Sequence, residues 1–222
     1  MPLFTKNKKT IFFAHIPKTG GTSFQNFFIN NGYVCTYPNK HTDRKTPGLC
    51  HPWHAHNSDP RLIKELTKRK DIVYKFAIVR DPIERTVSNF FWAKLHTDSV
   101  KLIIDRSPNN IEEQHFHTWV HEMINNYKND KCILYNHIRP MVEFIHEGMD
   151  IFLFGEWSKI KQKIELIDPT INQPLQHENS TTRPLNWKPF TETLDLLRNF
   201  YDQDYMFLES LKGIRNKKCN LL

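Results

Sequence analysis

Thr10-Ile11-Phe12-Phe13-Ala14-His15-Ile16-Pro17-Lys18-Thr19-Gly20-Gly21-Thr22-Ser23-Phe24 is the stretch on which the fold of this chain turns. An apolar run suited to a buried strand breaks at Pro17, passes Lys18 and two glycines, and meets two hydroxyls at the head of an amphipathic pattern. Gly20 and Gly21 permit a tight turn with backbone N–H groups pointing inward, and the helix N-terminus that follows adds partial positive charge. Lys18 adds a full charge, and Thr19, Thr22 and Ser23 add hydroxyl donors. Together these make a phosphate cradle. The chain has only seven glycines, so an adjacent pair here is a local requirement. A plain strand-to-helix turn with a solvated lysine is the competing reading. The ATPase loop G-x-x-x-x-G-K-[ST] is excluded, because there the lysine follows the glycines.

Working outward, Phe24, Phe27 and Phe28 recur at helical spacing and predict a helix from Thr22 to about Asn31, ended by Gly32. Residues 33–60 read as a long irregular loop, and Asp59 caps a short helix that begins at Pro60. Ile72 to Val79 is a second strong strand. It ends in Arg80, and Asp81-Pro82-Ile83-Glu84 opens a helix, with Asp81 as N-cap and Glu84 completing a capping box. Two or three helices are expected between Ile111 and His146, a strand at Asp150 to Gly155, and a helix from Glu156 to Ile167. A second long loop spans residues 168–189, and a closing helical region runs from Thr191 to about Leu211. The expected architecture is one α/β domain over residues 1–222: a parallel sheet flanked by helices, with a basic extension at 1–9 and a basic tail at 213–222.

A chain of 222 residues with 39% hydrophobic residues and sixteen phenylalanines buries a real core and is not disordered. The 31 basic residues exceed the 24 acidic ones to give +7, a balance that favours anionic partners without choosing among them. Cys35, Cys50, Cys132 and Cys219 form no C-x-x-C pair and suggest reduced thiols, with a Cys35–Cys50 bridge left open. No apolar leader and no membrane-spanning run is present, so the expectation is a soluble cytoplasmic protein, or one of the Golgi lumen if an anchor has been lost.

Arg80 at a strand end, with Ser88 two helical turns further on, suits a second phosphate, since Arg offers a planar fork and Ser a hydroxyl. Two phosphate sites on neighbouring strand ends suggest a nucleotide phosphorylated at both ends of its ribose. An Arg80 that only pairs with Asp81 or Glu84 is the plainer alternative. Pro17 to Ser23, taken with Ile78-Val79-Arg80-Asp81-Pro82-Ile83-Glu84-Arg85-Thr86-Val87-Ser88, resembles the two cofactor signatures of sulfotransferases that use 3′-phosphoadenosine 5′-phosphosulfate (PAPS). More narrowly, it resembles the branch of carbohydrate sulfotransferases that includes heparan sulfate 2-O-sulfotransferase.

The resemblance implies a P-loop-NTPase-like sulfotransferase fold and PAPS as cofactor, with 3′,5′-ADP as product. It puts Lys18 near the bridging oxygen and Arg80 and Ser88 on the 3′-phosphate, with Thr19, Gly20, Gly21, Thr22 and Ser23 around the 5′ end. It also implies a late loop, His177 to Arg183, that closes over the nucleotide through Ser180, Thr181, Thr182 and Arg183. His54-Ala55-His56 matches a His-x-His element whose second histidine is the catalytic base, which points to His56 with His54 beside it. The Gly-Gly pair and the short middle segment depart from the 2-O pattern and bear on the acceptor sugar.

Sulfuryl transfer asks for these groups in its own right: a base to take the acceptor's proton, and cations where charge builds on the leaving phosphate. No metal is required. Cys50-His51-Pro52-Trp53-His54-Ala55-His56 can also be read as zinc ligands, although no second Cys/His pair stands at matching spacing. For the whole chain, a nucleotide or sugar kinase and a non-catalytic nucleic-acid binder are the alternatives. The kinase lacks an Asp pair for Mg²⁺ beside the cradle, and the binder lacks a recognition-helix signature. The resemblance implies a carbohydrate-like hydroxyl acceptor as the partner, and no nucleic acid.

Overall fold

The computed structural model describes residues 2–36, 54–109, 111–176 and 183–219, with backbone only from 214 onward. Five strands form one sheet in the order β3-β1-β2-β4-β5: β1 (Leu3–Lys6), β2 (Lys9–Ala14), β3 (Val34–Thr36), β4 (Ile72–Val79) and β5 (Asp150–Leu153). β2, β4 and β5 are parallel, as expected. β1 is antiparallel to both of its neighbours, so the sheet is mixed. The first residues, expected to be a basic extension, instead form β1 and turn at Asn7 and Lys8. Both turn residues have positive φ, at 49° and 64°, the two-residue geometry that suits the twist of a hairpin.

Period-two alternation decides which side chains face which layer. Ile11 and Phe13 of β2 and Phe76 and Ile78 of β4 face α1 (Gly21–Asn30) and α6 (Trp157–Ile167), where Phe24, Phe27, Phe28, Ile160 and Ile164 complete one core. Phe12, Ala14, Ala77 and Val79 face the other side. There α2 (Pro60–Lys68), a short 3-10 turn at Met141–Phe144, and α8 (Asp202–Cys219) close over them with Leu62, Met141, Phe144 and Leu208. A third cluster joins α3 (Pro82–His96), α4 (Asp98–Arg106), α5 (Glu112–Asn129) and α7 (Thr191–Phe200) around Phe90, Phe116 and Trp119.

Asp59 caps α2 through the backbone N–H of Arg61, and Asp81 caps α3 through that of Glu84. The expected closing helix is two helices, α7 and α8, and the second continues through Cys219 into the stretch read as a basic tail. Cys132, just after α5, is disulfide-bonded, which corrects the expectation of reduced thiols. Sequence spacing does not reveal a bridge made by tertiary approach.

Candidate active site

The parallel pairing of β2 with β4 sets Ala14 opposite Ala77, so the segments after both strands emerge on one edge of the sheet. In the first, Lys18 has φ +65° and Gly20 φ +94°, both left-handed. Lys18 accepts backbone strain to make the turn. A Cβ on Gly20 would come within 2.7 Å of the Trp157 ring, and one on Gly21 within 1.6 Å of His15 Nε2. Both glycines are therefore fixed by neighbours as well as by the turn. Gly20 provides no side-chain cap to α1, so the first N–H groups of that helix keep their partial positive charge for an anion. The Thr19 hydroxyl is buried and donates to the Ile16 carbonyl at 2.8 Å, closing the loop on itself. Having donated its proton there, it does not serve as an outward donor. Ser23 is buried as well, and Thr22 is exposed.

In the second segment, Arg80 lies over the Phe154 ring at 4.4 Å, donates to the Lys18 carbonyl at 3.3 Å, and stands 3.6 Å from Glu84. The two loops are thus in contact through the Arg80 guanidinium and the Lys18 carbonyl. Removal from water, followed by the charge of Arg80, lowers the Lys18 pKa to about 8. Burial also pushes the Arg80 pKa down, against the pull of Glu84. Along α3, Glu84, Ser88 and Trp92 follow at four-residue steps and share one face. Trp92 meets Lys18, whose Nζ is 5.2 Å from the ring centroid.

From Trp92 a row of imidazoles leads inward. His137 is tilted against Trp92 at 5.3 Å, His54 meets His137 edge-on at 5.0 Å, and His15 meets His54 at 4.6 Å. His54 Nδ1 is 3.3 Å from the His15 carbonyl, and its own carbonyl accepts from Asn136 at 2.6 Å. A carbonyl accepts only, so the Nδ1 carries the proton and Nε2 is the basic nitrogen. His137 is held through Nδ1 by Asn89 Oδ1 at 2.7 Å, and Arg85, fully buried, braces the carbonyls of His137 and Arg139. The backbone that delivers His137 is strained, with positive φ at Leu134, Tyr135 and Asn136 in succession. Burial lowers the His54 pKa well below its usual value and takes His15 down to about 3. Both imidazoles are neutral at ordinary pH.

The chain matches the Sulfotransferase family over residues 1–208. It belongs to the sulfotransferase family. A stretch of 94 residues, 40% of this chain, is 34% identical to carbohydrate sulfotransferase 10 of Gallus gallus and covers 24% of that relative. This chain therefore spans about a quarter of the curated relative it matches. No solved structure matches it. Neither comparison distinguishes the heparan sulfate 2-O branch.

In this sulfotransferase-family chain, Lys18, Gly20, Gly21, Thr22 and Arg80 come together at one sheet edge, with Ser88 along the α3 face. His54 belongs to the imidazole row. His56 stands apart, near Arg139, Asp59, Glu143 and Arg61, and burial lowers its pKa too. Arg183 reaches Glu84 at 3.2 Å. Ser180, Thr181 and Thr182, like Cys50 and His51 of the zinc reading, lie outside the described residues; among the described residues no cluster of three metal-ligating side chains occurs. Sequence reasoning passed over His15, Trp92, His137, Phe154 and Trp157. Trp92 was within reach, because it continues the four-residue step from Glu84 and Ser88. His137 and Phe154 come from distant segments and carry no local signal.

Proposed function

We propose that this chain transfers a sulfuryl group from PAPS to a hydroxyl of a carbohydrate acceptor by in-line displacement. The observation that carries the reading is the bond from Arg80 to the Lys18 carbonyl, which places two cationic loops side by side at the C-terminal edge of parallel strands. The donor set fits a doubly phosphorylated nucleotide: uncapped helix N–H groups and Lys18 for one end, Arg80 and Ser88 for the other. PAPS, when bound, supplies the activated sulfuryl group and departs as 3′,5′-ADP.

The residues of the chain have distinct tasks. Lys18, cationic below about pH 8, offsets the charge that grows on the departing phosphate. His54, with Nδ1–H turned to a carbonyl, has Nε2 as its basic nitrogen and takes the proton of the attacking hydroxyl there. This arrangement favours His54 over His56 as the base. Asn136 and His137 hold the His54 backbone and ring in place. The name of the chicken relative supports a sugar acceptor, and the disulfide at Cys132 supports an oxidising compartment such as the Golgi lumen over the cytoplasm.

Labelled PAPS and a panel of glycan acceptors test the proposal. Sulfate transfer is expected. His54→Ala should lose about 10²–10⁴ of the rate and still bind 3′,5′-ADP, and His56→Ala should retain most of the rate. Full turnover in His54→Ala removes the imidazole from the mechanism. A preference for Mg-ATP over 3′,5′-ADP returns the kinase reading.

A further inference from the structure

Glu84 stands where two cations from distant parts of the chain meet. Its Oε1 is 3.2 Å from Nη1 of Arg183, and its Oε2 is 3.6 Å from Nη2 of Arg80. The backbone N–H of Glu84 is already taken by the Asp81 cap. The expected capping box would have turned the Glu84 carboxylate back toward Asp81; instead it faces the arginines. One turn further along the same face comes Ser88. An anion drawing two guanidiniums together next to a serine occupies the surroundings expected of a phosphate.

We propose that Glu84 is an internal anion that holds the Arg80–Arg183 pair until the 3′-phosphate of a nucleotide displaces it, so that its charge sets how tightly such a nucleotide is kept and how fast it leaves. The inference rests on reading Arg80 as the 3′-phosphate residue. The Glu84 and Arg183 side chains are 44% and 50% exposed, so this is a hydrated, weak pair that yields readily. A phosphate group brings more charge and more acceptor oxygens than a carboxylate and makes the stronger hydrogen bonds. Arg80 does not depend on Glu84 for its position, because Phe154 and the Lys18 carbonyl also hold it. Once displaced, the carboxylate repels the phosphate and favours release.

Calorimetry with 3′,5′-ADP and 5′-AMP, on the wild type and on Glu84→Gln, tests this. Glu84→Gln should bind 3′,5′-ADP about two- to fivefold more tightly, the range open to a surface charge pair. Its affinity for 5′-AMP, which lacks the 3′-phosphate, should be unchanged, and 3′,5′-ADP should dissociate more slowly in stopped flow. Arg183→Gln should weaken 3′,5′-ADP and spare 5′-AMP. If the wild type binds 3′,5′-ADP and Glu84→Gln binds it equally or less tightly, Glu84 is a positioning group and the inference fails while the function stands. Unchanged 3′,5′-ADP affinity in Arg183→Gln overturns the inference in the same way. A wild type that gains nothing from the 3′-phosphate overturns both.

Discussion

Lys18 concentrates the chemistry of the cradle in one residue. It has left-handed backbone, an aromatic face under its ammonium and a guanidinium against its carbonyl. With its pKa lowered to about 8, the free protein loses this charge as pH rises through that value. A bound phosphate favours the charged form, so binding between about pH 8 and 9 takes up a proton. The affinity for 3′,5′-ADP should therefore fall above pH 8, and heats measured in buffers of different ionisation enthalpy should reveal the uptake. Constant affinity from pH 7 to 9.5 would place the phosphate elsewhere. At this scale Lys18 and Arg80 were legible, because glycines and a strand end announce them. That His54, and not His56, joins the imidazole row was not, since its contacts with His137 and the His15 carbonyl are tertiary.

The start of α1 is a fitted element. Gly21 abuts the His15 imidazole so closely that any Cβ must displace the ring or the helix. Gly21→Ala should cost about 1–3 kcal/mol in chemical denaturation and weaken nucleotide binding, and adding His15→Ala should restore part of both. If the second substitution restores nothing, the steric account is wrong. Elements with strong signals were legible within a residue or two: β4 by its β-branched run, α2 and α3 by their Asp-Pro starts, and α1 by its phenylalanines. β1 and β3 were missed because four- and three-residue strands carry almost no periodicity. α4 was missed because it follows α3 with only Thr97 between them.

Across the whole molecule, several histidines are packed in as neutral rings. His15 is lowered to about 3 and His146 to about 4, both chiefly by burial, and His54 is lowered as well. An unfolded histidine titrates near 6.5, so between 6.5 and the folded values the unfolded chain binds more protons. Stability from these groups is therefore complete above about pH 6.5 and declines as the pH falls toward 3. Melting temperature should begin to drop near pH 6, well above the carboxylate range, and His15→Asn should soften that decline. A melting temperature that stays level from pH 7 to 5 would contradict it. The parallel central strands of the α/β sheet were legible from two strand–loop–helix units. The antiparallel hairpin that makes the sheet mixed was not, since Lys6, Lys8 and Lys9 around its turn disguise it as solvated chain.

β1 runs opposite to β2, with Leu3 beside Phe12 and the Pro2 carbonyl accepting from Phe13 at 3.2 Å. β1 therefore begins on the rim that holds Lys18, between the edge strand β3 and the inner strand β2. A purification handle joined ahead of β1 would have the Lys18 loop as its neighbour. A polyhistidine or acidic leader would add its own charge to the field around Lys18 and Arg80, so proteolytic trimming belongs before any titration.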